Sequence, residues 1–157
     1  MDEQTEQTLA LLIRSTRTGA LATFHDGEPN LAMVAVAFAD DFSAFYIHVS
    51  RLGKHTRDME KDARVSLLLT ETDDGRADPQ TLARFSIHGT ADPVTKTDSG
   101  SERVKGIYLA RFPEAKKLLS LGDFGFWRIT PKEGRFVAGF AQAFNIVPET
   151  LKKISSL

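Results

Sequence analysis

Gly19 to Ser50 reads GALATFHDGEPNLAMVAVAFADDFSAFYIHVS, three apolar runs divided by His25-Asp26-Gly27-Glu28 and by Ala39-Asp40-Asp41. The Asp-Gly pair supplies the positive φ that a tight hairpin turn requires. The second connection is equally short. Ala20–Phe24, Pro29–Phe38 and Phe42–Val49 are therefore expected to be three antiparallel strands in a meander.

Upstream, Leu9, Leu12 and Ile13 recur at helical spacing, with Glu3 and Glu6 before them and Arg14 and Arg17 after, which predicts a short amphipathic helix over 8–16. Downstream the period changes. Between Ser50 and Asp62, Lys54–Lys61 is charged on most sides and keeps Met59 as its clear apolar anchor, so a short helix is expected there. Arg64–Leu69 and Leu82–Ala91 read as strands around a long polar loop. Glu102–Ala110 reads as a helix broken at Phe112-Pro113 and resumed over 114–119. Phe124–Thr130 and Arg135–Phe140 flank Pro131-Lys132-Glu133-Gly134, which reads as a last hairpin. The sum is one β-dominated α+β domain over 1–157, with an N-terminal helix within 1–17, a C-terminal tail at 147–157, and six to seven antiparallel strands that close most easily into a small barrel.

The 157 residues suit one domain, and 20 Lys and Arg against 21 Asp and Glu leave a net charge of -1. That balance lacks the footprint of a nucleic-acid or membrane-surface binder. The absence of cysteine excludes disulfides, thiolate metal sites, iron-sulfur clusters and cysteine nucleophiles. No run of about 18 apolar residues occurs, and the expected location is the cytoplasm.

The segment with most chemistry is His48-Val49-Ser50-Arg51-Leu52-Gly53-Lys54-His55-Thr56-Arg57, where a strand gives way to a helix. Cations gather at the end of a helix that already carries partial positive charge. Free N–H groups, the Ser50 hydroxyl, a glycine and a Lys clamp are the parts of a phosphate site. The alternative is a solvated basic patch neutralised by Asp58, Glu60 and Asp62. Asn30–Phe38 is small and apolar on both faces, as expected of a strand buried on both sides or laid under a flat ring. The histidines at 25, 48, 55 and 88 show no metal-ligand spacing, and no metal site is expected. Phe124, Phe126 and Trp127 are assigned to the core or to a subunit interface, with a cofactor contact as the alternative.

Ser-Arg-Leu-x-Lys-His-Thr-Arg from Ser50, Arg-Val-Ser-Leu-Leu-Leu from Arg64, Arg-Phe-Pro-x-Ala from Arg111 and the late Gly139-Phe140 resemble the pyridoxamine 5'-phosphate oxidase-like FMN-binding split barrels, and within them the haem-utilisation branch. The likeness runs from Gly19 to Ile146. It implies a homodimer of split barrels with FMN at the interface. Met33, Val34, Ala35 and Val36 would then lie along the isoalloxazine, with His48, Val49 and Ser50 beside it, Lys54 and His55 on the phosphate, Arg84 as a polar contact, and Phe140 and Gln142 reaching over from the partner chain. The implied activity is an FMN-dependent oxidoreductase exchanging hydride with a reduced nicotinamide or a small organic substrate. The alternatives are a haem-binding or haem-utilisation protein and a non-catalytic flavin module. Two departures stand out. Ala138-Gly139-Phe140-Ala141-Gln142-Ala143 replaces the branch's Gly-Gly-Phe-Gly-Arg-Ala, and the tail lacks the arginines of true pyridoxamine phosphate oxidases, so pyridoxal phosphate synthesis is not expected. No histidine follows His88 to ligate haem iron from the tail.

Overall fold

A computed structural model describes residues 1–140 and 142–157. Ala141, inside the expected Ala-Gly-Phe-Ala-Gln-Ala segment, lies outside the described residues. Helix α1 spans Glu3–Ser15, longer than the apolar spacing predicts, because Asp2 caps it by accepting from the Thr5 N–H at 2.8 Å and Glu3 and Glu6 fill its first turn. Its buried face is Leu9, Ala10, Leu12 and Ile13.

Strands β1 (Thr18–His25) and β2 (Glu28–Ala35) form the expected hairpin, with Asp26 at φ 51° and Gly27 at φ 87°. The long second run is not one strand. It breaks at Val36, whose N–H turns to the Arg17 carbonyl at 2.9 Å, and resumes as β3 (Ala37–Phe38). Strand β4 (Phe45–Ser50) pairs with β3 as expected, but its other neighbour is β7 (Phe124–Gly139), so the meander does not continue through β2.

The remaining strands are β5 (Arg64–Thr70), β6 (Arg84–Val94) and β8 (Gln142–Ile146), eight in all among the described residues. The hydrogen-bonded order is β2-β1-β5-β6-β7-β4-β3, with β8 paired to β7. The two ends of this path are consecutive in the chain, so the sheet curls round without closing its hydrogen bonding. Phe45, Ile47, Leu67, Phe85, Ile87, Ile129 and Phe136 fill its interior against α1.

The hairpin expected at Pro131–Gly134 is absent: β7 runs straight through, paired to β6 along its length, and the true turn follows Gly139. Turn chemistry gives way there to long-range pairing. His88 faces Glu133 and Gly89 faces Pro131, which leaves Lys132 as the extra residue of a β-bulge, a place where a strand tolerates proline. A Cβ on Gly89 would stand 2.2 Å from the Thr130 carbonyl oxygen, so only glycine permits the crossing.

Helix α2 is Lys54–Lys61 and α3 is Ser101–Arg111, both as expected, while 113–120 winds as a 3-10 helix after Pro113 instead of resuming α3. The tail forms helix α4 (Pro148–Ile154), which buries Leu151 and Ile154. Lys153 Nζ bonds both carboxylate oxygens of buried Glu6 at 2.7 and 2.8 Å, tying the two ends of the chain together.

Candidate functional site

The junction of β4 and α2 is where the sequence places a phosphate. Helix α2 begins at Gly53 with no side-chain cap and no acid in its first turn, and Lys54 is its first residue. The Ser50 hydroxyl, expected to face an anion, instead donates to Asp123 Oδ2 at 2.5 Å and accepts from the Leu52 N–H at 3.1 Å. The Ser50 carbonyl is taken by the Thr56 hydroxyl at 2.6 Å. A Cβ on Gly53 would stand 2.8 Å from His55 Cε1, so the glycine lets the imidazole fold back over the helix start. His55 Nε2 is buried without a partner, and burial pushes its pKa down against the opposing pull of Asp58. Of the two groups assigned to the phosphate, His55 is half-buried and Lys54 is exposed at the helix start.

His48 stands at the base of an aromatic cavity of about 650 Å³. Its ring stacks on Phe126 with centroids 4.3 Å apart, with Phe124 at 5.3 Å and Tyr108 at 5.8 Å. Burial lowers its pKa, and Nδ1 is buried without a partner. Val49 and Trp127 line the same cavity, and Trp127 also belongs to the main core.

The β2 residues divide by face. Val34 and Val36 point into the core, so a ligand would meet them through backbone alone, while Ala35 is half-buried. Met33 is 75% exposed and Leu31 71% exposed, which corrects the expectation of a strand buried on both sides. With Ala20 and Leu68 they line an apolar groove of about 310 Å³. Arg84 is held by the loop before its own strand: its Nη1 donates to the carbonyls of Gln80 at 2.8 Å and Leu82 at 3.2 Å. It lines a separate cavity with Thr16, Thr18 and Thr70. Phe140, 80% exposed, and Gln142 sit on either side of the β7–β8 turn.

One polar cluster escaped the sequence reading. Asp58 on α2 is 1% exposed and accepts from Thr23 Oγ1 at 2.8 Å and Asn30 Nδ2 at 3.0 Å, with His25 Nδ1 at 2.6 Å. It is no surface acid neutralising the basic patch; it locks α2 to the β1–β2 hairpin. Strand periodicity puts Thr23 and His25 on one face of β1, but helical spacing sets Asp58 apart from Thr56 and gives no matching signal in α2.

The chain matches the sequence pattern of the family described as Pyridoxamine 5'-phosphate oxidase over residues 5–138. It is 37% identical over 129 residues to the chloroplast heme oxygenase HOZ of Arabidopsis thaliana, covering 80% of this chain and 38% of that protein. It is 27% identical over 137 residues to heme oxygenase HutZ of Vibrio cholerae, covering 86% of this chain and 77% of that one. Among solved structures, a heme binding protein from Mycobacterium smegmatis superposes with a TM-score of 0.85 at 21% identity, over 98% of this chain and 62% of that chain, and shows the fold. The chain thus spans well under half the length of the Arabidopsis protein. With most of its length inside the matched pattern and the split-barrel sheet described above, the chain belongs to the pyridoxamine 5'-phosphate oxidase family.

Proposed function

We propose that this chain is a haem-binding member of its family, serving haem utilisation, in place of the FMN oxidoreductase that its motifs alone suggest. The supporting observation is the 37% identity, over four fifths of the chain, to a protein named as a heme oxygenase. The structure fits a planar apolar ligand: Ala20, Leu31, Met33 and Leu68 leave an open hydrophobic strip on the outer face of the sheet. Haem would supply iron redox chemistry when bound, and the chain would supply the surface, its polarity and an iron ligand. Equilibrium dialysis against equal concentrations of haem and FMN tests the reading. Retention of haem in preference to FMN supports it; retention of FMN alone overturns it.

The same strip motivates a homodimer, since exposed Leu31 and Met33 on an end strand need cover. Light scattering at micromolar concentration is expected to give twice the chain mass, and Met33→Asp is expected to give monomer. A monomeric wild type would overturn the dimer.

The FMN reading keeps one structural observation in its favour, the uncapped start of α2 with Lys54 at its first position. If FMN binds there, Lys54→Ala weakens it about 10- to 150-fold, the worth of one charge-assisted contact of roughly 1.5–3 kcal/mol. Riboflavin, which has no phosphate, should respond little. Equal weakening of both ligands in paired titrations would remove Lys54 from the phosphate.

A further inference from the structure

We propose that His88 is the iron ligand for haem, in a groove on the outer face of the sheet, an inference that rests on the haem reading above. The four histidines of this chain differ sharply in how free their ring nitrogens are. His48 has its ring packed among Phe124, Phe126 and Tyr108, and its Nδ1 is buried. His55 has Nε2 buried beneath the start of α2. His25 gives Nδ1 to Asp58 and holds Nε2 3.7 Å from Asp26 on an exposed turn, where an anion already waits for it. His88 is exposed, and its Nδ1 lies 2.7 Å from the Ser66 hydroxyl on the neighbouring strand. In the tautomer whose Nδ1–H donates to Ser66, that bond orients the ring and leaves Nε2 as its lone-pair nitrogen, the arrangement that metal-bound histidines use.

The surroundings suit a flat dianionic ligand. The groove holds about 610 Å³, within the range of small-molecule sites of roughly 300–1,000 Å³. Ala22, Phe24 and Pro29 give it an apolar wall. Arg64 lies over the Phe24 ring, 4.8 Å from its centroid, and Lys132 is the residue that the β-bulge inserts beside His88. These two cations are placed to meet carboxylates at the edge of a macrocycle. The acidic groups here are Glu133, paired across from His88, and Asp62, which already forks onto Arg64 at 2.6–3.2 Å. The bulge thus has a use besides bending β7: it brings a cation to the rim of a histidine-floored groove.

Ferric haem titrated into the wild-type chain, His88→Ala and Ser66→Ala, followed by absorbance and magnetic circular dichroism, tests this. The wild type is expected to show a histidine-ligated spectrum. His88→Ala should lose it, with affinity down at least about 10-fold, and added imidazole should restore it. Ser66→Ala should keep histidine ligation with affinity weakened about 10-fold. His88 is a surface residue, and an unchanged thermal melt verifies that its variant folds. A wild type that binds haem and a His88→Ala variant with the same spectrum and affinity overturn His88 while leaving the haem reading intact. A wild type that binds no haem overturns both.

Discussion

Asp58→Ala should unfold at much lower urea than the wild type, with a loss of about 2–4 kcal/mol. The carboxylate is buried and serves Thr23, Asn30 and His25 together. Removing it strands the buried Thr23 hydroxyl and the half-buried Asn30 and His25 groups and cuts the link between α2 and the β1–β2 hairpin, where an orphaned buried group costs roughly 1–3 kcal/mol. Asp58→Asn keeps the shape and one acceptor oxygen and should lose less than the alanine variant. The pH dependence follows from the same contacts. Burial pushes the Asp58 pKa up, but the bonds from His25 and Thr23, the His25 charge and the Asn30 bond outweigh it, so the native value lies below the ordinary 3.8. A depressed native pKa means that the stabilisation is complete above the unfolded-state value and is lost as the pH falls through the native one. Wild type should therefore lose stability below about pH 4 more steeply than Asp58→Asn. A urea midpoint for Asp58→Ala within error of wild type would show that the cluster does not hold the helix.

Arg111→Ala should cost about 3 kcal/mol, because one guanidinium gathers three carbonyls from separate parts of the fold. Its Nε donates to the Val36 carbonyl at 3.0 Å, and Nη2 donates to those of Arg14 at 3.0 Å and Thr16 at 2.6 Å. It also lies over the Phe38 ring, 4.8 Å from its centroid. These contacts converge on the break between β2 and β3 and on the end of α1. Burial, with the nearby charge of Arg17, pulls its pKa below the usual guanidinium value, yet it stays charged. Arg111→Lys keeps the charge and loses the fork, so it should recover less than half of the loss. Full recovery with lysine would mean that charge alone matters there.

The Arg-Phe-Pro segment was legible in the sequence only as part of a family likeness; the residues that Arg111 holds lie 75, 95 and 97 positions away. Local chemistry was readable where it was decisive. Asp26-Gly27 specifies its turn through two positive φ angles, and α2 shows in the change of period. Pro131–Gly134 carried equally good turn chemistry and misled, because β6 offers an unbroken partner and the bulge absorbs the proline. Lys54 stands where its spacing put it, at the first position of α2. Asp123, which holds the Ser50 hydroxyl, lies 73 residues away, and only the glycine at 53 leaves room for the His55 ring, so neither arrangement shows in the local pattern. The Asp58 cluster was hidden for a related reason: its partners are 28, 33 and 35 residues away, and a lone aspartate among cations looks like a surface acid.

The absorbance spectrum of the chain purified from cells supplied with both a haem precursor and riboflavin tests the central claim most directly. An intense Soret band, bleached of iron-ligand features by His88→Ala but not by Lys54→Ala, is the predicted result. A flavin spectrum with no Soret band, lost on Lys54→Ala, would contradict the haem reading.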